Sequence, residues 1–111
     1  MSIMVGDIRF DGPYLLSTWK PPQRAGVYVI MMKDVYRLGK DKILYVGESS
    51  NFSERGFLTN HHKYDCWLKY AGSADNLYIC VHLMPNSTHQ QRKAIESALI
   101  EQYKPICNSY E

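Results

Sequence analysis

Residues 26–47, GVYVIMMKDVYRLGKDKILYVG, hold two β-branched and aromatic runs separated by a polar stretch. The first, Gly26 to Met32, follows the breakers Pro21, Pro22 and Gly26 and reads as a strand; the second, Lys42 to Gly47, follows Gly39 and Asp41 and reads as another. Their short separation predicts an antiparallel hairpin. A register symmetric about the connecting loop puts Tyr28 and Tyr45 opposite each other on one face, where periodicity alone makes them an ordinary cross-strand aromatic pair.

Downstream, Asn51-x-x-Glu54 after Ser49 and Ser50 has the form of a helix cap, with Gly56 weakening the helix it opens. A helical or irregular stretch through Trp67 and Tyr70 leads to the turn residues Gly72, Ser73, Asp75 and Asn76. Leu77 to Met84 is a continuous apolar run, which predicts a central strand buried on both faces. Thr88-x-x-Gln91 offers a capping box, and the helix it opens should run to about Tyr103, before Pro105. The first 25 residues hold a short strand candidate, Ile8 to Phe10, and a Trp19-Lys-Pro-Pro segment that cannot be helical.

A chain of 111 residues is one domain in size, and 45% hydrophobic with 22% charged residues excludes a disordered segment. No run of eighteen apolar residues exists, and MSIMVGDIRF carries neither a basic nor an apolar signal region, so a membrane role is not expected and the cytoplasm is the expected compartment. Cys66, Cys80 and Cys107 are odd in number with no CxxC spacing, and are expected to be reduced and partly buried.

Glu96, Leu99, Ile100 and Tyr103 share one helix face, so a carboxylate sits in line with the stripe that packs on the sheet, while Glu101 points elsewhere. Such a carboxylate must be paired, protonated or metal-bound. Periodicity by itself favours a paired structural glutamate. Arg55 falls just after Glu54, where a solvated or Glu54-bridged arginine is the plain reading.

Taken together these segments resemble the GIY-YIG nucleases. Gly26-Val27-Tyr28 and Tyr45-Val46-Gly47 are similar to the two tripeptides that name the family. The passage from Tyr45 to Arg55 resembles its strand-to-helix segment, with the arginine eight residues past the glycine. Glu96-x-x-Leu99-Ile100-x-x-x-x-Pro105-x-x-Asn108 is similar to its C-terminal signature. The resemblance implies an α/β (α+β) fold with a small three-stranded antiparallel sheet flanked by helices. It divides the chain into an N-terminal extension, 1–25, packed on a nuclease domain, 26–108, with a tail, 109–111.

The same resemblance implies roles. Glu96 is the sole protein ligand of one divalent cation, and an all-oxygen site suits Mg2+, with Mn2+ possible. Arg55 holds the scissile phosphate. Tyr28 helps deprotonate the attacking water and Tyr45 positions water or phosphate, although which tyrosine is the base stays open, since a phenol of pKa ~10 is a poor base at neutral pH. Asn108 braces the site, as does Gly47. Some members have an assisting histidine four residues after the arginine; here that position is Thr59, with His61 and His62 nearby as weaker candidates that read more plainly as solvated. Excision-repair members have a lysine after the second tripeptide, where this chain has Glu48, a negative charge near the phosphate path.

The expected function is metal-dependent cleavage of phosphodiester bonds in nucleic acid, DNA before RNA. The competing reading is a catalytically silent nucleic-acid-binding or protein-interaction module on the same fold; the presence of every catalytic position favours the enzyme. A net charge of +2 gives no general affinity for polyanions. Lys33, Arg37, Lys40 and Lys42 surround the hairpin loop, where a solvated loop is the plainer reading. Targeting is therefore expected from a local patch, a homodimer or a partner protein.

Overall fold

A computed structural model of the chain describes residues 1–34, 40–54 and 61–108. The runs from Gly26 and to Gly47 become β3 (Gly26–Asp34) and β4 (Lys40–Ser49), which pair antiparallel. Their register differs from the symmetric one. Tyr28 pairs with Gly47 and Ile30 with Tyr45, while Met31 pairs with Ile43, so Leu44 is an extra residue on β4. The bulge accounts for one of the two places by which Tyr45 departs from the symmetric register, and the pairing of Met31 with Ile43 on the loop side for the other, so the two tyrosines are diagonal neighbours on one face rather than opposite partners.

The apolar run becomes β5 (Leu77–Leu83), which pairs with β3 on one side and with β2 (Ile8–Leu15) on the other. β1 (Ser2–Val5) pairs in turn with β2. The sheet is therefore five-stranded and antiparallel in the order β1-β2-β5-β3-β4, not three-stranded. The first fifteen residues supply the difference: the expected strand at Ile8 runs on to Leu15, and Ser2–Val5 adds an edge. Gly26 permits the close pairing at the start of β3, because a Cβ there would collide with the carbonyl of His82.

One helix covers each face. α1 (Tyr64–Ala71) ends at Gly72, which takes the left-handed conformation at φ 85°. Its Trp67 is fully buried with Tyr28, Ile30, Leu44, Phe52 and Ile79. α2 (His89–Tyr103) starts at the expected capping box, with both Thr88–Gln91 bonds made. Its Leu99 packs with Val27, Val29, Val46 and Cys80 on the opposite face. The stripe fades towards its end, where Tyr103 is partly exposed and its hydroxyl accepts from the N–H of Gly6.

Two local expectations fail. Asn51 and Glu54 form no capping box: the Asn51 carboxamide oxygen accepts from the N–H and hydroxyl of Ser53, and a single 3-10 turn, Phe52–Glu54, follows. Cys66 and Cys107 are joined by a disulfide with their Cα atoms 5.9 Å apart, and Cys80 keeps a buried thiol against the Met31 sulfur. The bond crosses 41 residues of sequence, so no local spacing announces it. It also sits at odds with the reducing compartment expected from the sequence. No described helix is long and apolar enough to cross a membrane.

Candidate active site

The site is built at the edge where β4 meets both helices. Tyr28 stands on β3 and is 4% exposed; its ring lies over Gly47, where an added Cβ would come within 2.5 Å of the hydroxyl. Only glycine leaves that space. Tyr45 lies beside it, ring centroids 6.0 Å apart, and is more open to solvent. The turn that ends the chain's described part covers the edge of β4. Cys107 N–H donates to Leu44 O, and the Asn108 carboxamide makes two bonds to Val46, accepting from its N–H at 2.8 Å and donating to its carbonyl at 2.9 Å. Asn108 thus substitutes for a neighbouring strand between Tyr45 and Gly47.

Glu96 is 8% exposed on the packing face of α2. Its Oε1 is fully buried and makes no hydrogen bond; Lys93 Nζ lies 2.9 Å away in an ion pair whose angles are not those of a hydrogen bond. That contact holds the Lys93 ammonium above its ordinary range. The Glu96 charge also reaches both tyrosines. Burial, then Tyr45, then Glu96 push the Tyr28 phenol far up, and burial and Glu96 push Tyr45 up, against a lowering by the hydrogen bond from Tyr28.

His61 makes the next contact, against the solvated reading. Its Nε2 lies 2.8 Å from the Tyr28 hydroxyl, and its Nδ1 accepts from the N–H of Lys63 at 3.0 Å. A backbone N–H can only donate, so in the neutral ring the proton is on Nε2, which donates to the Tyr28 oxygen. The ring is packed on Trp67 at 4.4 Å between centroids, and His62 stacks on it at 4.6 Å. His62 itself is exposed and reaches Tyr45 at 6.4 Å between rings.

Glu48, the residue after Gly47, does not face the site as a bare charge. Arg92 Nε donates to its Oε1 at 2.8 Å, and His89 Nδ1 stands 3.2 Å from its Oε2. Arg92 is 5% exposed and is fixed further by Ser87, whose carbonyl and hydroxyl both accept from Nη1. Arg55 and Arg37 lie outside the described residues. Lys33 places its ammonium 5.4 Å from the centre of the Tyr78 ring.

The arrangement of two strand tripeptides and a helix carboxylate matches a known domain. Residues 24–111 fit the family model of the GIY-YIG catalytic domain. The chain belongs to the GIY-YIG family. Among solved structures it is similar to the GIY-YIG N-terminal endonuclease domain of UvrC from Thermotoga maritima, in a tyrosine-to-phenylalanine point mutant bound to its catalytic divalent cation. The identity is 19%, 81% of this chain and 88% of that one are covered, and the TM-score is 0.50. A second such mutant of that domain, also bound to the catalytic divalent cation, gives 20% identity over the same shares and a TM-score of 0.49. At this identity the likeness is one of fold. No curated protein sequence matches the chain.

Within the GIY-YIG frame, the structure brings Tyr28, Tyr45, Gly47, Glu96 and Asn108 to one edge, together with His61. Arg92 was legible in principle, four residues before Glu96 on the same helix face. His61 stood near the position of the assisting histidine but read more plainly as solvated, because an irregular segment has no period from which its direction can be read.

Proposed function

We propose that the chain is an endonuclease that hydrolyses phosphodiester bonds, DNA before RNA, with one divalent cation at Glu96. The observation that carries the reading is the buried Oε1 of Glu96, without a hydrogen bond, acting on two phenols at the edge that Gly47 leaves clear. Among the described residues no three of His, Cys, Asp and Glu converge, so water and phosphate oxygens must complete any coordination, which suits Mg2+ or Mn2+ better than Zn2+. Lys93, largely exposed, is the counter-charge that this carboxylate holds and that a cation would replace. The cation supplies charge neutralisation at the scissile phosphate.

The chain's own groups do the rest. Tyr45 is the phenol that solvent reaches, and Tyr28 donates a hydrogen bond to it while His61 holds the Tyr28 oxygen. This favours Tyr45 as the group against the attacking water: its ionised form is stabilised by Tyr28, and a cation at Glu96 offsets the charge that opposes ionisation. The water oxygen bonds to phosphorus, its proton passes to the Tyr45 phenolate, and the P–O bond to the leaving strand breaks, the released alkoxide taking a proton from solvent. Arg55 holds the phosphate, with Asn108 and Gly47 keeping the edge in shape. A homodimer or a partner protein delivers the substrate.

The Lys93–Glu96 pair also favours a second reading, a silent module whose Glu96 is structural. A cleavage panel of linear, nicked, branched and single-stranded substrates, with and without Mg2+, separates the two. Glu96→Gln should abolish metal-dependent cutting while folding survives, and Arg55→Ala should cost roughly 2 to 4 kcal/mol of transition-state stabilisation. Tyr45→Phe should lower kcat more than Tyr28→Phe. If Glu96→Gln and Arg55→Ala cut like the parent, the site is misplaced; if the parent cuts nothing and binds no Mg2+, the silent module stands.

A further inference from the structure

A cleft of about 590 Å³ opens beside the site, lined among others by Arg24, Ser50, Asn51, Asn86, Ser87 and Arg92. It lies at the start of β3, past the end of β4 and against the first turn of α2. Among the described residues no carboxylate lines it. Two of its residues are cationic in a chain whose net charge is only +2.

Arg92 is the informative one. It is 95% buried by its 5% exposure, its Nε is spent on Glu48, and its Nη1 is spent on the carbonyl and hydroxyl of Ser87. Nη2 has no such partner among the described residues, and Arg92 lines the cleft. A guanidinium clamped at two nitrogens presents the third with little entropy left to lose, which is the condition for a strong charge-assisted bond to a phosphate oxygen. Arg24 is exposed nearby and donates to the carbonyl of Gln23, with no carboxylate partner among the described residues. Ser50 and Asn86 add a hydroxyl and an amide, suited to sugar and phosphate oxygens.

Position completes the argument. Arg92 precedes Glu96 by four residues, so the two stand about 6 Å apart along the α2 axis. One strand can lie across both. We propose that this cleft binds a backbone phosphate of the nucleic-acid strand next to the scissile phosphate, with Arg92 Nη2 and Arg24 as donors; the assignment rests on the nuclease reading above. Glu48, in place of the lysine of excision-repair members, then serves as the anchor that turns Arg92 towards the strand.

The test is binding rather than cutting. Metal-free protein is titrated into a labelled single-stranded oligonucleotide at several salt concentrations, comparing Arg24→Ala with Lys69→Ala, which removes the same charge from exposed α1. Arg24→Ala should weaken binding about fivefold at low salt and flatten the log–log salt slope by about one, and Lys69→Ala should change neither by as much. Equal behaviour of the two variants overturns the proposal. Inorganic phosphate is the second arm. Displacement no greater than chloride gives at equal ionic strength supports a strand site; stronger displacement that Arg24→Ala abolishes makes the cleft a free-phosphate site and overturns the strand. Because no step requires cleavage, a chain that cuts nothing can still pass, and one that cuts while Arg24→Ala binds like Lys69→Ala keeps the nuclease reading and loses the cleft.

Discussion

Tyr28 is surrounded by groups that oppose a negative charge on its oxygen: an apolar core, a second phenol and the Glu96 carboxylate. The folded protein therefore holds its proton far beyond the ordinary phenol value of ~10, and Tyr45 is displaced in the same direction. The consequence for stability follows from proton counting. Below pH ~10 folded and unfolded chains both keep these protons; above it the unfolded chain releases them first, so stability falls as pH rises. In an absorbance titration of tyrosinate, two of the nine phenols should titrate late, and Glu96→Gln should bring both earlier, since it removes a charge that raises each. A titration curve unchanged by Glu96→Gln would show that the carboxylate and the phenols do not share a site. Gly47 sets a second constraint at this scale. Gly47→Ala places a methyl 2.5 Å from the Tyr28 hydroxyl of a buried ring, so the ring must shift, at about 1 to 3 kcal/mol by analogy with overpacked cores. Urea unfolding measures it, and parent-like stability would mean that Tyr28 does not lie where the geometry has it.

Among the elements, the turn after α2 is held to the domain twice, by the Asn108 bonds to β4 and by the Cys66–Cys107 bridge to α1. Closing a loop of 41 residues stabilises by about 4 kcal/mol on the chain-entropy account. Reduction, or Cys66→Ser, should lower unfolding stability by up to that amount in urea melts, yet the fraction still folded should cut as before, because Asn108 keeps its edge bonds. Loss of cutting by the folded fraction would make the bridge part of the site. The elements also differ in how plainly the sequence carried them. The hairpin, the central strand and the Thr88 cap were legible because each is a local pattern with its own period. β2 was legible only at its start, Ile8 to Phe10, and β1 was not: Ser2–Val5 is short, and its place depends on β2 pairing with a strand more than sixty residues away. The tyrosine register failed by two places, one of them the bulged residue Leu44. Glu96 was legible from its helix face, whereas the Glu48–Arg92 pair, 44 residues apart, and the contact of His61 with Tyr28 are products of the folded chain alone.

At the scale of the whole molecule, charge limits how a domain of 39 × 32 × 27 Å can hold a polyanion. With a net charge of +2, nonspecific attraction is slight, and affinity must come from the few cations that geometry places near the strand. Arg24 and Arg92 share one phosphate in the cleft, and Arg55 is the third proposed cation, on the scissile phosphate, so about two phosphates are neutralised at once. Counterion release then gives a log–log salt slope of about −2, a loss of roughly tenfold between 50 and 200 mM salt. Binding by the isolated chain should therefore be weak and steeply salt-dependent at physiological ionic strength. The measurement is a salt series of oligonucleotide binding, run at protein concentrations low enough to exclude self-association and again at high concentration. A slope that doubles at high concentration assigns delivery of the substrate to a dimer, which brings two such sets of cations to one duplex. Nanomolar binding with a shallow slope at low concentration would contradict the charge argument, because it would require base or sugar contacts in place of the phosphate contacts on which this reading of the surface depends.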